Sequence, residues 1–126
     1  MGFLDQLKSS ENNSLHPQWH ALSSIEEAQN AISTSNEQAV VFFKHSTRCG
    51  ISVQVLHQIK DAWNYTDEQI KFFYLDLLNY RPISNFIAEE TQVMHQPPQL
   101  IMLKDGAVVY HGAHFNIKVD QLASLI

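Results

Sequence analysis

A chain of 126 residues is long enough to bury one hydrophobic core and too short for two. Its apolar share of 44% and charged share of 17% are those of a folded globular protein, which excludes a disordered or fibrous chain. A net charge of -5, with eight scattered Lys and Arg, supplies no field for phosphate backbones, and no apolar run nears the roughly 18 residues that cross a bilayer. Neither nucleic acid nor membrane is an expected partner.

Residues 1–15 end in a polar run from Ser9 to Ser14 and read as a flexible N-terminal extension, with the folded domain spanning 16–126. Asp5 and Lys8 interrupt the first apolar stretch, and Gln6 stands where a myristoylation signal needs Ser or Thr. No leader or lipid anchor is therefore expected. After a short strand near Trp19, Ser23 or Ser24 caps a helix with Ile25, Ala28 and Ile32 on one face, and Glu26 or Glu27 completes a capping box. The run Ala39 to Phe43 is apolar throughout, as in a strand covered on both faces of a parallel sheet.

Beyond the polar loop His45-Ser46-Thr47-Arg48, the spacing of Val55, Leu56, Ile59, Ala62 and Trp63 predicts a second helix. Ile70 to Leu75 is a second central strand, and Pro82 opens a helix carrying Ile83, Phe86 and Ile87. The runs Leu100–Leu103 and Ala107–Tyr110, joined by Lys104-Asp105-Gly106, predict an antiparallel hairpin with a three-residue link. The spacing of Ile117, Val119, Leu122, Ala123 and Ile126 predicts a closing helix. Parallel strands with crossover helices, closed by a C-terminal antiparallel hairpin, make an α/β protein with a mixed central sheet flanked by helices, a thioredoxin-like fold.

Cys49 is the chain's single cysteine, so an internal disulfide and a multi-cysteine metal site are both excluded, and a free thiol in a cytoplasmic protein is expected. A lone cysteine usually packs as a small hydrophobe. Cys49 instead follows a polar loop and opens a helix, where first-turn N–H groups have no helical partner. A thiolate there gains about 0.3–1 kcal/mol from the helix dipole. The N–H groups of Ile51 and Ser52, the Ser52 hydroxyl and the Arg48 cation are expected to add to it, while Gly50 permits a tight turn and close approach of a substrate disulfide. Pro97 and Pro98 precede the first hairpin strand, and Pro98 is placed as a cis-proline facing the cysteine loop, its preceding backbone offered to a substrate held like an added strand.

The block Phe43 to Ser52, together with Pro97-Pro98-Gln99 and His114-Phe115-Asn116-Ile117, resembles the YtxJ-type monothiol bacilliredoxins from about Trp19 to the C-terminus. The resemblance implies an enzyme that removes bacillithiol from protein mixed disulfides. Cys49 would be the attacking thiol, and Ser52 would stand where a dithiol relative carries its resolving cysteine. S-thiolated proteins and a small thiol would be the partners, the thiol serving as co-substrate with no tightly bound cofactor. Gly50 stands where the family pattern has proline or serine. His45 and Asp76 are placed as supporting groups beside the thiol.

Cys49-Gly50-Ile51-Ser52 is also one residue from the CGFS signature of monothiol glutaredoxins, which carry an iron-sulfur cluster between two subunits. That is the alternative reading, although the double glycine followed by aspartate that would hold glutathione is absent after Pro98. His111 and His114 would point to opposite faces of a strand, and no third ligand has a fitting spacing, so no metal is expected.

Overall fold

The structure, a computed structural model, describes residues 18–126. The expected extension 1–15, and residues 16 and 17 of the expected domain, lie outside the described residues. In chain order the elements are β1 (His20–Ala21), α1 (Ile25–Thr34), β2 (Ala39–His45), α2 (Gly50–Ala62), β3 (Ile70–Asp76), α3 (Arg81–Thr91), β4 (Gln99–Lys104) and β5 (Ala107–Ala113). Two 3-10 segments, His114–Asn116 and Val119–Leu125, follow.

The strands form one five-stranded sheet in the order β1-β3-β2-β4-β5. β3 runs parallel to both β1 and β2, while β2–β4 and β4–β5 are antiparallel. This is the expected mixed sheet. β2 lies at its centre, and all seven of its residues are buried because strands flank it and helices cover both faces. Alternation divides its side chains: Ala39, Val41 and Phe43 enter one core with Val55, Leu56 and Ile59 of α2, and Val40 and Phe42 enter the other with Ile83 and Ile87 of α3. Each large apolar side chain fully buried here contributes about 1.5–3 kcal/mol.

Ser24 caps α1 by accepting the Glu27 N–H at 3.1 Å. Glu27 returns its carboxylate to the N–H of Ser23 at 2.7 Å, one residue earlier than a standard capping box. The hairpin is tighter than expected. Lys104 pairs with Ala107 as the last rung, leaving a two-residue turn of Asp105 and Gly106 at φ 53° and 78°. Positive φ at both positions matches the twist of the flanking strands. Glycine suits position 106, since φ 78° strains an L side chain and a Cβ there would also push aside Asn36 Oδ1, 2.8 Å away.

The closing element is a 3-10 helix where the spacing suggested an α-helix. Val119 and Leu122 are buried and Leu125 packs against the same core, a repeat of three that keeps one face inward only in the tighter 3-10 winding. Its start is held by the Tyr65 hydroxyl, which donates to the Val119 carbonyl at 2.8 Å, and by the Lys118 N–H, which donates to the Tyr110 hydroxyl at 2.8 Å.

Strand ends assemble the candidate site. His45 at the end of β2 pairs with Asp76 at the end of β3, and Gln99 at the start of β4 pairs with Lys44. The Cys49 loop, the turn after Asp76 and Pro98 therefore share one edge of the sheet.

Candidate active site

Cys49 is the N-cap of α2, in extended backbone, and its side chain is partly exposed. The Cys49 N–H donates to the Ser46 carbonyl at 3.2 Å, and its own carbonyl accepts from the Val53 N–H at 3.0 Å, so the backbone on both sides of the thiol is fixed. The thiol makes no capping hydrogen bond, which differs from the expectation that the Ile51 and Ser52 N–H groups would donate to it.

The Ser52 hydroxyl also departs from its expected role. Ser52 is fully buried, and its Oγ accepts the Ser46 N–H at 3.0 Å and lies 2.7 Å from His45 Nδ1. The Ser46 amide takes one lone pair of the hydroxyl and leaves its hydrogen and its second lone pair, so Nδ1 is paired with Ser52 in either tautomer of the imidazole. Burial pushes the His45 pKa below its ordinary value, against the opposing pull of Asp76, and keeps the ring neutral. The ring packs against Phe43 and Tyr74, with centroids 5.9 and 5.5 Å away. Ser52 thus anchors the first turn of α2 to the end of β2 instead of solvating the sulfur.

Asp76 closes the turn after β3. Its Oδ1 accepts the Leu78 N–H at 3.1 Å and its Oδ2 accepts from Asn79 Nδ2 at 2.7 Å. Gly50 is not a turn residue: it is the first residue of α2 and lacks a positive φ. A Cβ there would meet nothing within 4 Å, so the space beside the thiol is open. Ile51 is 47% exposed.

The Pro97–Pro98 bond is cis, and the Pro98 carbonyl accepts the His114 N–H at 2.8 Å. Pro97 itself has no N–H, so the backbone before Pro98 offers an incoming strand an acceptor but no donor. This narrows the cradle expected of that segment.

Two features escaped the reading of residue types. A cleft of about 360 Å³ beside the cysteine loop is lined by Thr47, Arg48, Leu78 and Asn79, which are distant in sequence. On the opposite face of the sheet Lys44 is fully buried, its Nζ donating to the Ser84 carbonyl at 3.1 Å and to His95 Nδ1 at 3.4 Å. Burial, reinforced by Arg81, lowers its pKa to about 8. Only its place as the one cation in the run Ala39 to His45 hinted at this. Among the described residues no group of His, Cys, Asp or Glu is arranged to hold a metal, and no helix is long and apolar enough to cross a membrane.

Residues 20–122 match the family described as monothiol bacilliredoxin BrxC. Among solved structures, one described as having a thioredoxin fold is 28% identical with a TM-score of 0.68, covering 85% of this chain and 92% of that one. A redox protein from Chlamydomonas reinhardtii is 25% identical at TM-score 0.61, with 88% of this chain and 35% of that chain covered. A thioredoxin mutant from Halobacterium salinarum, 16% identical at TM-score 0.63, covers 86% of this chain and 88% of its own, a likeness of fold.

Proposed function

The chain belongs to the monothiol bacilliredoxin family, and from that premise we propose that it is a thiol-disulfide oxidoreductase that strips a low-molecular-weight thiol, bacillithiol or a close analogue, from cytoplasmic S-thiolated proteins. The carrying observation is one partly exposed cysteine at a helix N-cap in a chain with no second cysteine. Cys49 thiolate attacks the small-thiol sulfur of protein–S–S–R. The protein leaves as a thiolate and Cys49–S–S–R forms.

Ser52 cannot break that adduct, because a hydroxyl does not displace a thiol from a disulfide. A second small thiolate must do so, restoring Cys49 thiolate and releasing R–S–S–R. The cycle consumes the small thiol as co-substrate and needs no resident cofactor. The open space over Gly50 and the exposed Ile51 leave room for the protein substrate, with Arg48, Pro97 and Pro98 beside it.

The test is a carrier protein S-thiolated with bacillithiol, mixed with this chain and followed by intact mass. The expected result is transfer of the adduct to Cys49, and its removal by added free bacillithiol. Cys49→Ser should transfer nothing. Transfer at the Cys49→Ser level by the native chain would refute the proposal.

A further inference from the structure

We infer that the cleft between the cysteine loop and the turn after β3 is the seat of the small thiol, and that it selects thiols carrying a carboxylate through Arg48. The inference rests on the reading of Cys49 as the exchanging thiol and names the chemistry of its co-substrate.

The cleft, about 360 Å³, is lined by Thr47, Arg48, Leu78 and Asn79, and Arg48 adjoins Cys49 in the chain. Its volume is at the lower end of small-molecule sites. Arg48 is exposed, and no carboxylate is paired with it among the described residues. The nearby acid, Asp76, is already engaged by the Leu78 N–H and by Asn79 Nδ2. Asn79 therefore keeps its carbonyl oxygen, and Thr47 its hydroxyl, for a polar ligand. Leu78, 49% exposed, supplies the apolar wall.

On a chain of net charge -5 an unpaired guanidinium beside the nucleophile is a local exception to the prevailing field. Its fork of donors matches a carboxylate in two parallel hydrogen bonds. A small thiol whose carboxylate rests on Arg48 would be held with its sulfur towards Cys49, and the same contact serves both the arriving adduct and the thiol that later clears it.

The experiment loads Cys49 as its mixed disulfide with 4-thiopyridine and follows thiopyridone release on adding mercaptosuccinate, 2-mercaptoethanol or cysteamine. The incoming thiolate forms a bond to the Cys49 sulfur as thiopyridone leaves, with no net oxidation. The readout is the rate with mercaptosuccinate divided by the rate with 2-mercaptoethanol. Arg48→Gln should lower this ratio about fivefold, the upper range for an exposed ion pair. Arg48→Glu should lower it further and favour cysteamine, and Leu78→Trp should lower it by filling the cleft.

An unchanged ratio in Arg48→Gln and Arg48→Glu overturns the inference. A fall in those variants with none in Leu78→Trp reveals a charge effect without a seat, and overturns it too. No thiopyridone release from the native chain with any thiol would instead remove the exchange reading on which the inference stands.

Discussion

The Ser52 hydroxyl lies 2.7 Å from His45 Nδ1 while accepting the Ser46 N–H at 3.0 Å, so the helix that begins at Cys49 is fastened through its third residue to the end of the central strand. Fixing Cys49 in space depends on this buried joint more than on any contact to the sulfur.

Ser52→Ala should therefore act on stability first. It strands one buried ring nitrogen, His45 Nδ1, and one amide donor, Ser46 N–H, and unsatisfied groups of this kind cost about 1–3 kcal/mol. Urea denaturation should show a loss of about 2 kcal/mol with an unchanged m-value. A loss below about 0.5 kcal/mol, the range of an ordinary surface substitution, would mean that the joint carries no weight.

The same joint makes the fold acid-sensitive. The His45 pKa is lowered by burial, so as pH falls through about 6.5 the unfolded chain takes up a proton that the folded chain refuses. Stability contributed by the neutral ring is complete above that pH and is lost below it. His95 is lowered in the same direction by its burial beside Lys44 and Arg81, and adds to the slope. His45→Asn, whose amide reaches the place of Nδ1 but does not titrate, should flatten the fall in urea midpoint between pH 7 and 5 without removing the His95 share. An identical slope in the variant would show that His45 does not titrate with folding.

Lys44 gives the opposite window. Its folded pKa is about 8 and the unfolded value about 10.4, so between these the unfolded chain holds more protons and stability must rise with pH. The full span is on the order of 3 kcal/mol. Lys44→Met should erase that rise and should be neutral or stabilising at pH 7, since a buried charge gives way to an apolar chain of similar length. Tyr74, its pKa raised by burial to about 12, lowers stability at the alkaline end in both proteins, so the difference between the two curves is the measurement. Parallel curves would show that Lys44 is charged in the fold without penalty.

The sheet and its crossovers were legible because apolar runs such as Ala39 to Phe43 and helical spacing such as Val55, Leu56 and Ile59 record burial directly. Cys49 was legible for a related reason, a polar loop switching to helical period at one residue. The closing segment was misread because Ile117, Val119, Leu122, Ala123 and Ile126 have α-helical spacing, whereas the residues that pack inward are Val119, Leu122 and Leu125, and the anchors from Tyr65 and Tyr110 that fix its start are distant in the chain. Partners distant in the chain left no local mark. The Lys44–His95 contact spans 51 residues, and Ser52 turns to His45 instead of Cys49 because the end of β2 lies beneath α2.

Ser52→Cys tests the geometry of the site itself. Cys49 is the N-cap and residue 52 the third residue of α2, an arrangement in which the capping side chain faces the position three residues on. Such Cα atoms lie within the range of about 4.4–6.8 Å that a disulfide spans. The variant gives up the hydroxyl's bonds to His45 and Ser46, so its reduced form should be less stable than the native chain by about 1–3 kcal/mol. Mild oxidant should nonetheless close a bond between residues 49 and 52. Intact mass should show the loss of two hydrogens and no free thiol, and a reductant should restore both. The closed variant should accept no adduct from an S-thiolated carrier until it is reduced. In the reduced variant the second thiol should expel the small thiol from Cys49 without help from a second small-thiol molecule, so that the adduct fails to accumulate. A variant that stays folded and reactive at Cys49 yet never closes would show that residue 52 lies outside bridging reach, and would remove the equivalence with a dithiol site.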